Sequence, residues 1–139
     1  GGVTTAKLAD NAVTTAKITD ANITAAKLAS VNFAGNTLTD TSNTGSVTLD
    51  FATNQNFVLT LTGNVTLANP TTEAVGQSGF IVFIQDSTGS RTVSLGTDYE
   101  TVGGSGLTLS TTASTTDVVP YIVVASSRIL LGTPQLAFS

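Results

Sequence analysis

The chain has 139 residues, a net charge of −4 from five basic and nine acidic side chains, and no Cys, His, Met or Trp. Disulfides, thiolate or imidazole metal sites and every nucleophile–base pair built on His or Cys are therefore excluded, and no basic stripe is present to neutralise the phosphates of a nucleic acid. The longest apolar run, Val118–Ala125 interrupted by Pro120, falls far short of the roughly 20 residues that span a bilayer.

Residues 1–30 repeat with a period of ten: Val3-Thr-Thr-Ala-Lys-Leu-Ala-Asp10, Val13-Thr-Thr-Ala-Lys-Ile-Thr-Asp20 and Ile23-Thr-Ala-Ala-Lys-Leu-Ala-Ser30. Large apolar residues fall at Val3, Leu8, Val13, Ile18, Ile23 and Leu28, a spacing that fits neither one helix nor one strand. Each decad reads as an extended Val-Thr step leading into a short helical turn closed by Asp or Ser. Two large apolar residues per decad cannot build a core, so the repeat predicts an extended arm that buries these six side chains against sister chains. A flexible linker is the alternative reading. A chain that opens Gly-Gly, with no Met, reads as a piece of a longer one.

Residues 31–45 read as a connector, with Val31–Leu38 a weak strand or crossing segment. From residue 46 the pattern is strand and turn. In Ser46–Phe51 the residues Val47, Leu49 and Phe51 share one face. Asn56–Leu61 and Asn64–Ala68 flank Thr62-Gly63, a hairpin candidate. Gly79–Gln85 and Asp117–Val124 are almost wholly apolar, so both are predicted to be buried on two faces. Asp86–Ser90 is a turn from which Arg91–Leu95 returns, bringing Asp86 near Arg91. Leu107–Leu109 is predicted as a short edge strand, and Arg128–Leu131 and Gln135–Phe138 complete the chain. Thr and Ser supply 40 residues, 27 and 13, and β-branched hydroxyls suit strands that face water with few charges. The fold class is all-β: a β-sandwich of jelly-roll type over residues 46–139, with eight or nine short strands.

Few residues carry chemistry. A Ser–Lys pair would need Lys7, Lys17 or Lys27, which occupy equivalent repeat positions and so read as structure. Asp98 and Glu100 could act as paired carboxylates on one side of a loop, or form a solvated acidic loop. Gly103-Gly-Ser-Gly106 lacks the Lys and the helix of a phosphate loop, and no cofactor or metal is expected. Tyr99, beside Asp98 and Glu100 in a Gly-rich loop, is the candidate glycan contact; Tyr121, within an apolar strand, reads as core.

The decad Val-Thr-Thr-Ala-Lys-Leu-Ala-Asp resembles the repeat of tail-fibre and other virion-appendage proteins of tailed bacteriophages, notably phages of marine bacteria and cyanobacteria. Residues 56–70 (Asn-Phe-Val-Leu-Thr-Leu-Thr-Gly-Asn-Val-Thr-Leu-Ala-Asn-Pro), 76–79, 85–94 and 109–113 with Asp117-Val are similar to a terminal module of such proteins. The resemblance implies a non-enzymatic structural segment of a virion surface fibre or spike, three copies rather than two, contact with other virion proteins through the arm, and a host surface glycan as possible ligand. It departs from the family near Tyr99–Val102, where Glu100 and Thr101 stand in place of Trp or a basic residue. Two other readings stay open: a capsid decoration or head fibre made of the same module, and a carbohydrate-binding or polysaccharide-degrading domain.

Overall fold

Apolar residues alternate with Thr, Ser and Asn along much of residues 37–131, and alternation of this kind lays one face of a strand against a core. The computed structural model describes residues 35–139. The repeat positions Val3, Leu8, Val13, Ile18, Ile23 and Leu28 lie outside the described residues. The strands are β1 (Thr37–Thr48), β2 (Asn56–Ala68), β3 (Ser78–Gln85), β4 (Val93–Leu95), β5 (Tyr99–Glu100), β6 (Thr116–Ala125), β7 (Arg128–Leu131) and β8 (Gln135–Phe138). β1 begins inside the segment read as a connector.

The all-β expectation holds, but a single curled eight-stranded sheet, in the order β1-β2-β3-β6-β7-β5, takes the place of two packed sheets. Two long strands cause the curl by changing partner part-way. β2 pairs with β3 through Phe57–Leu61 and with β4 through Val65–Leu67. β6 pairs with β7 through Tyr121–Ala125 and with β8 through Thr116 and Val118. β1 to β4 all run parallel, with Thr37 beside Asn56, Phe57 beside Ile81 and Val65 beside Val93. The chain therefore makes a full circuit between neighbouring strands, a winding that the antiparallel jelly roll does not contain. From β6 onward the neighbours β3, β7 and β8 are antiparallel to it.

The concave side holds the core. Phe57, Leu59, Leu61, Val65 and Leu67 of β2 meet Ile81 and Phe83 of β3 and Val119, Tyr121 and Val123 of β6, all buried. Each such side chain contributes roughly 1.5–3 kcal/mol by leaving water. Phe51, Phe57 and Tyr121 form an aromatic cluster, with ring centroids 5.0 Å apart for Phe51–Phe57 and 5.3 Å, edge-on, for Phe51–Tyr121. The Tyr121 hydroxyl donates to the Gln55 carbonyl at 2.6 Å. Tyr121 is core, as its sequence setting predicts.

Three local expectations are corrected. Thr62-Gly63 is not a hairpin: β2 runs straight through it. Gly63 is there because a side chain would collide with Thr44 of β1, whose Cβ would stand 2.9 Å away; the glycine permits a close approach rather than a reversal. Leu107–Leu109 forms no strand. Leu107 and Leu109 pack against the core, and the segment is held at Ser110, whose backbone N–H and hydroxyl donate to the buried Asp117 carboxylate at 2.6 and 2.7 Å. β3 and β6 bury one face rather than two, Ile81 and Phe83 inward, Phe80 and Ile122 outward.

Two amides hold the corners of the winding. Buried Asn43 sits where the β1–β2 register slips, and its side chain donates to the carbonyls of Asp40 and Thr60, both at 3.1 Å. Gln85 closes β3: its amide donates to the carbonyls of Arg91 (2.9 Å) and Ser110 (2.8 Å) and accepts from the Arg91 N–H (2.9 Å). Asp86–Ser90 turns a corner rather than reversing the chain, since β4 runs beside β2. Pro120 fits an interior strand because it lies where the neighbour of β6 changes from β7 to β8, so its missing N–H leaves no ladder bond unmade. Its carbonyl accepts from the Gly132 N–H at 2.9 Å, and a Cβ on Gly132 would fall 2.7 Å from the Pro120 ring.

Candidate functional site

The Gly-rich segment after β5 borders two concave features among the described residues. Thr101 leads into a tight, non-helical turn over Val102–Gly104. The Thr101 carbonyl accepts from the Gly104 N–H (3.0 Å) and its hydroxyl from the Gly106 N–H (2.9 Å). Gly103, Gly104 and Gly106 all have positive φ, a conformation that costs glycine little and other residues more. The tight loop leaves Val102 77% exposed at its tip.

On one side of this loop lies a cleft of about 580 Å³, walled by Ser94, Thr97, Tyr99, Glu100, Thr101 and Leu107. On the other lies a depression of about 470 Å³ floored by Pro120, Ile122 and Leu130. The first presents hydroxyls and backbone groups, the second is apolar.

The structure separates the three residues singled out as a glycan contact. Tyr99 and Glu100 are successive in β5 and so face opposite ways. The Tyr99 ring is only 5% exposed, set in the core. A ring buried this way cannot stack on a sugar, and it offers the cleft no more than an edge. Among the described residues its hydroxyl has no hydrogen-bond partner. Burial pushes its pKa well above the ordinary tyrosine value, helped by the nearby Glu73 and Asp98 carboxylates. Asp98 is itself buried and does not line the cleft. Its N–H donates to the Asn69 side chain at 3.1 Å, and its carbonyl accepts from the Ile129 N–H at 2.7 Å. Glu100 faces outward in a two-pronged pair with Arg128, Nε–Oε1 2.8 Å and Nη2–Oε2 3.1 Å. The Arg128 guanidinium holds the Glu100 carboxyl below its usual range.

Asp86 and Arg91 meet as expected, with Arg91 Nη2 2.8 Å from Asp86 Oδ2 and both side chains mostly covered, at 18% and 26% exposure. Asp86 also accepts from the Thr88 and Gly89 N–H groups. Hydrogen bonding to Arg91 is the main reason its pKa is lowered. The pair braces the turn.

The cleft can therefore hold a neutral, hydroxyl-bearing ligand through hydrogen bonds. Glu100, on its rim, is engaged by Arg128, and the described residues gather no three acidic side chains that could bind a metal ion. The wall formed by Ser94 and Thr97 was missed in the sequence, because nothing marks two hydroxyls as cleft-lining before the parallel placement of β4 is known.

Residues 41–125, more than half of the chain and reaching from within β1 to the end of β6, match the family described as "Putative phage tail fibre C-terminal domain". No curated protein and no solved structure matches the chain.

Proposed function

The chain belongs to the family of phage tail fibre C-terminal domains, and on that premise we propose that it is a non-enzymatic structural segment of a virion surface fibre, assembled as a homotrimer. Family membership makes it a virion-associated fibre component. The match over residues 41–125 is the single observation that carries this reading.

The decad repeat supports the finer assignment. Six regularly spaced apolar residues, Val3 to Leu28, have no core of their own, so they favour association of like segments around a common axis and contact with neighbouring virion proteins. The β-module, residues 35–139, then forms a compact unit at the end of that arm's sequence. Its hydroxyl-rich surface suits exposure on the outside of a particle. Gold-labelled antibody against this chain, imaged on intact virions, tests the assignment. Label on tail appendages is the expected outcome. Label distributed over the head would favour a capsid decoration or head fibre instead.

A role in host attachment is favoured by the hydroxyl-lined cleft beside the Thr101–Gly106 loop, which suits a neutral surface glycan. Ser94, Thr97 and Thr101 are its expected contacts, rather than Tyr99 and Asp98. Incubation with host surface polysaccharide checks both halves of this reading. Retention without new reducing ends is expected, and release of reducing ends would make the chain an enzyme.

A further inference from the structure

β3 and β6 are apolar at inward and outward positions alike, yet the fold of one chain covers only the inward ones. The outward residues line up in register: Val58, Val82 and Val118 are successive neighbours across β2, β3 and β6, and Phe80 stands beside Pro120. Phe80 remains 49% exposed and Ile122 43%. Elsewhere the same sheet behaves differently. Its outward residues are Thr39 on β1, Asn64 and Thr66 at the far end of β2, and Ser94 on β4, all polar. A face meant for water usually alternates to polar residues, as these strands do. A contiguous apolar field bounded by hydroxyls marks a contact surface.

We propose that the outward face of β3, β6 and β7, centred on Phe80 and Ile122, is a contact surface between copies of this chain. The inference rests on the homo-oligomeric reading above and adds to it a second interface, in the β-module itself.

Charge selects the occupant. In β3, β5, β6 and β7 the charged side chains are Asp117, buried on the other face, and the mutually paired Glu100 and Arg128. The field is neutral and its rim is neutralised. Nothing on it would recognise an anionic polysaccharide, a phosphate or a lipid headgroup, whereas three copies can turn it toward a common axis without bringing like charges near each other. Size adds a second constraint. Strands about 4.8 Å apart, with outward side chains about 6.7 Å apart along each, give three strands of about three positions a plan area near 290 Å². That is about a third of the roughly 800 Å² that each partner contributes to a stable two-body interface. The face is thus too small to hold copies together unaided and fits copies already tethered by another contact, the role proposed above for the decad arm.

The absence of cysteine from the chain makes the test clean. Ile122→Cys and, as a control on the polar part of the sheet, Thr66→Cys are made in the full chain. Each is labelled with a maleimide photo-crosslinker, checked for unchanged circular dichroism, sized in solution at micromolar concentration and illuminated. The expected result is an oligomer in which Ile122→Cys crosslinks chain to chain at least tenfold more than Thr66→Cys. An oligomer with equal yields at the two positions would overturn the face while leaving the fibre reading intact. A monomer would remove the homo-oligomeric reading and this inference with it. Crosslinking in intact virions to a different protein, rather than to a second copy, would also overturn it.

Discussion

In the parallel half of the sheet, β1 to β4, the bends are held by neutral amides. In the antiparallel half, β6 to β8, the loose segments are held by a carboxylate. The chemistry follows from what each place lacks. Where a parallel ladder slips, donors and acceptors go missing together, and an amide supplies both. Gln85 does both at one corner, while Asn43 donates twice at the other, to the carbonyls of Asp40 and Thr60. Beside β6 the lack is one-sided. The Ser110 and Ala137 N–H groups need an acceptor, and Asp117, an acceptor only, takes both along with the Ser110 hydroxyl. The parallel half is thus braced by amides, one of which, Gln85, also reaches across to the Ser110 carbonyl, while the antiparallel half is gathered around one buried carboxylate.

The sharpest way to break this contrast is Asp117→Ala. Three donors lose their acceptor, two of them backbone groups, and a loss of about 3 kcal/mol or more is expected in urea unfolding. β8 and residues 105–110 should also become sensitive to protease in the folded protein. Equal protection of these segments in the variant would show that Asp117 does not gather them. Asn43→Ala should cost less, about 2 kcal/mol. Hydrogen exchange should quicken in β1 and the adjoining part of β2 and leave β8 unchanged; a change at β8 would merge the two halves into one unit.

Alkali probes the same division. Both of the chain's tyrosines pack in its second half, Tyr99 in β5 and Tyr121 in β6. Burial raises the Tyr121 pKa to about 12. A group whose pKa is raised on folding supports the fold fully below its unfolded value, near 10, and loses that support as pH rises toward the folded value. At pH 11 the loss from Tyr121 is about 1.4 kcal/mol. Tyrosinate absorbance should therefore appear only as the fold is lost, and ionisation near pH 10 in the intact protein would contradict the burial of both rings.

The surface pairs should show the smallest effects. Arg91→Ala should lower the melting temperature measurably, and Arg128→Ala less, since the Arg128–Glu100 pair is about half exposed, 54% and 43%. Because Asp86 has a lowered pKa, the Arg91 contribution is present above about pH 4 and fades as acid takes the pH through the depressed value. Attachment of virions to cells should not change in Arg91→Ala. Lost attachment at an unchanged melting temperature would make Arg91 a recognition residue.

Much of this was legible in the sequence and some of it was misread for physical reasons. β7 and β8 appear at their expected positions, and Tyr121 and the Asp86–Arg91 brace are found as read. The hairpin at Thr62-Gly63 fails although the decisive signal was present: Phe57, Leu59, Leu61, Val65 and Leu67 are all odd-numbered, so one face continues unbroken through Gly63. Parallel winding was not legible, because alternation shows which face is buried but not the direction of the neighbouring strand. The two-face burial of β3 and β6 was read from composition that one chain does not satisfy, and the unsatisfied part became the outward field at Phe80 and Ile122. From sequence Tyr99 reads as a loop aromatic because glycines follow it. The two-residue pairing of β5 with β7 is too short to leave a pattern.

The hydroxyls on the outward positions of β1, β2 and β4 have a consequence for the medium in which such a surface works. Fields between charges shrink with ionic strength, from about 10 Å at 0.1 M salt to about 3 Å at 1 M. A threonine hydroxyl holds water by hydrogen bonds and carries no net charge for ions to screen. Hydration held in this way depends less on ionic strength than that of a charged face, so the exposed side of these strands is expected to change little as salinity changes.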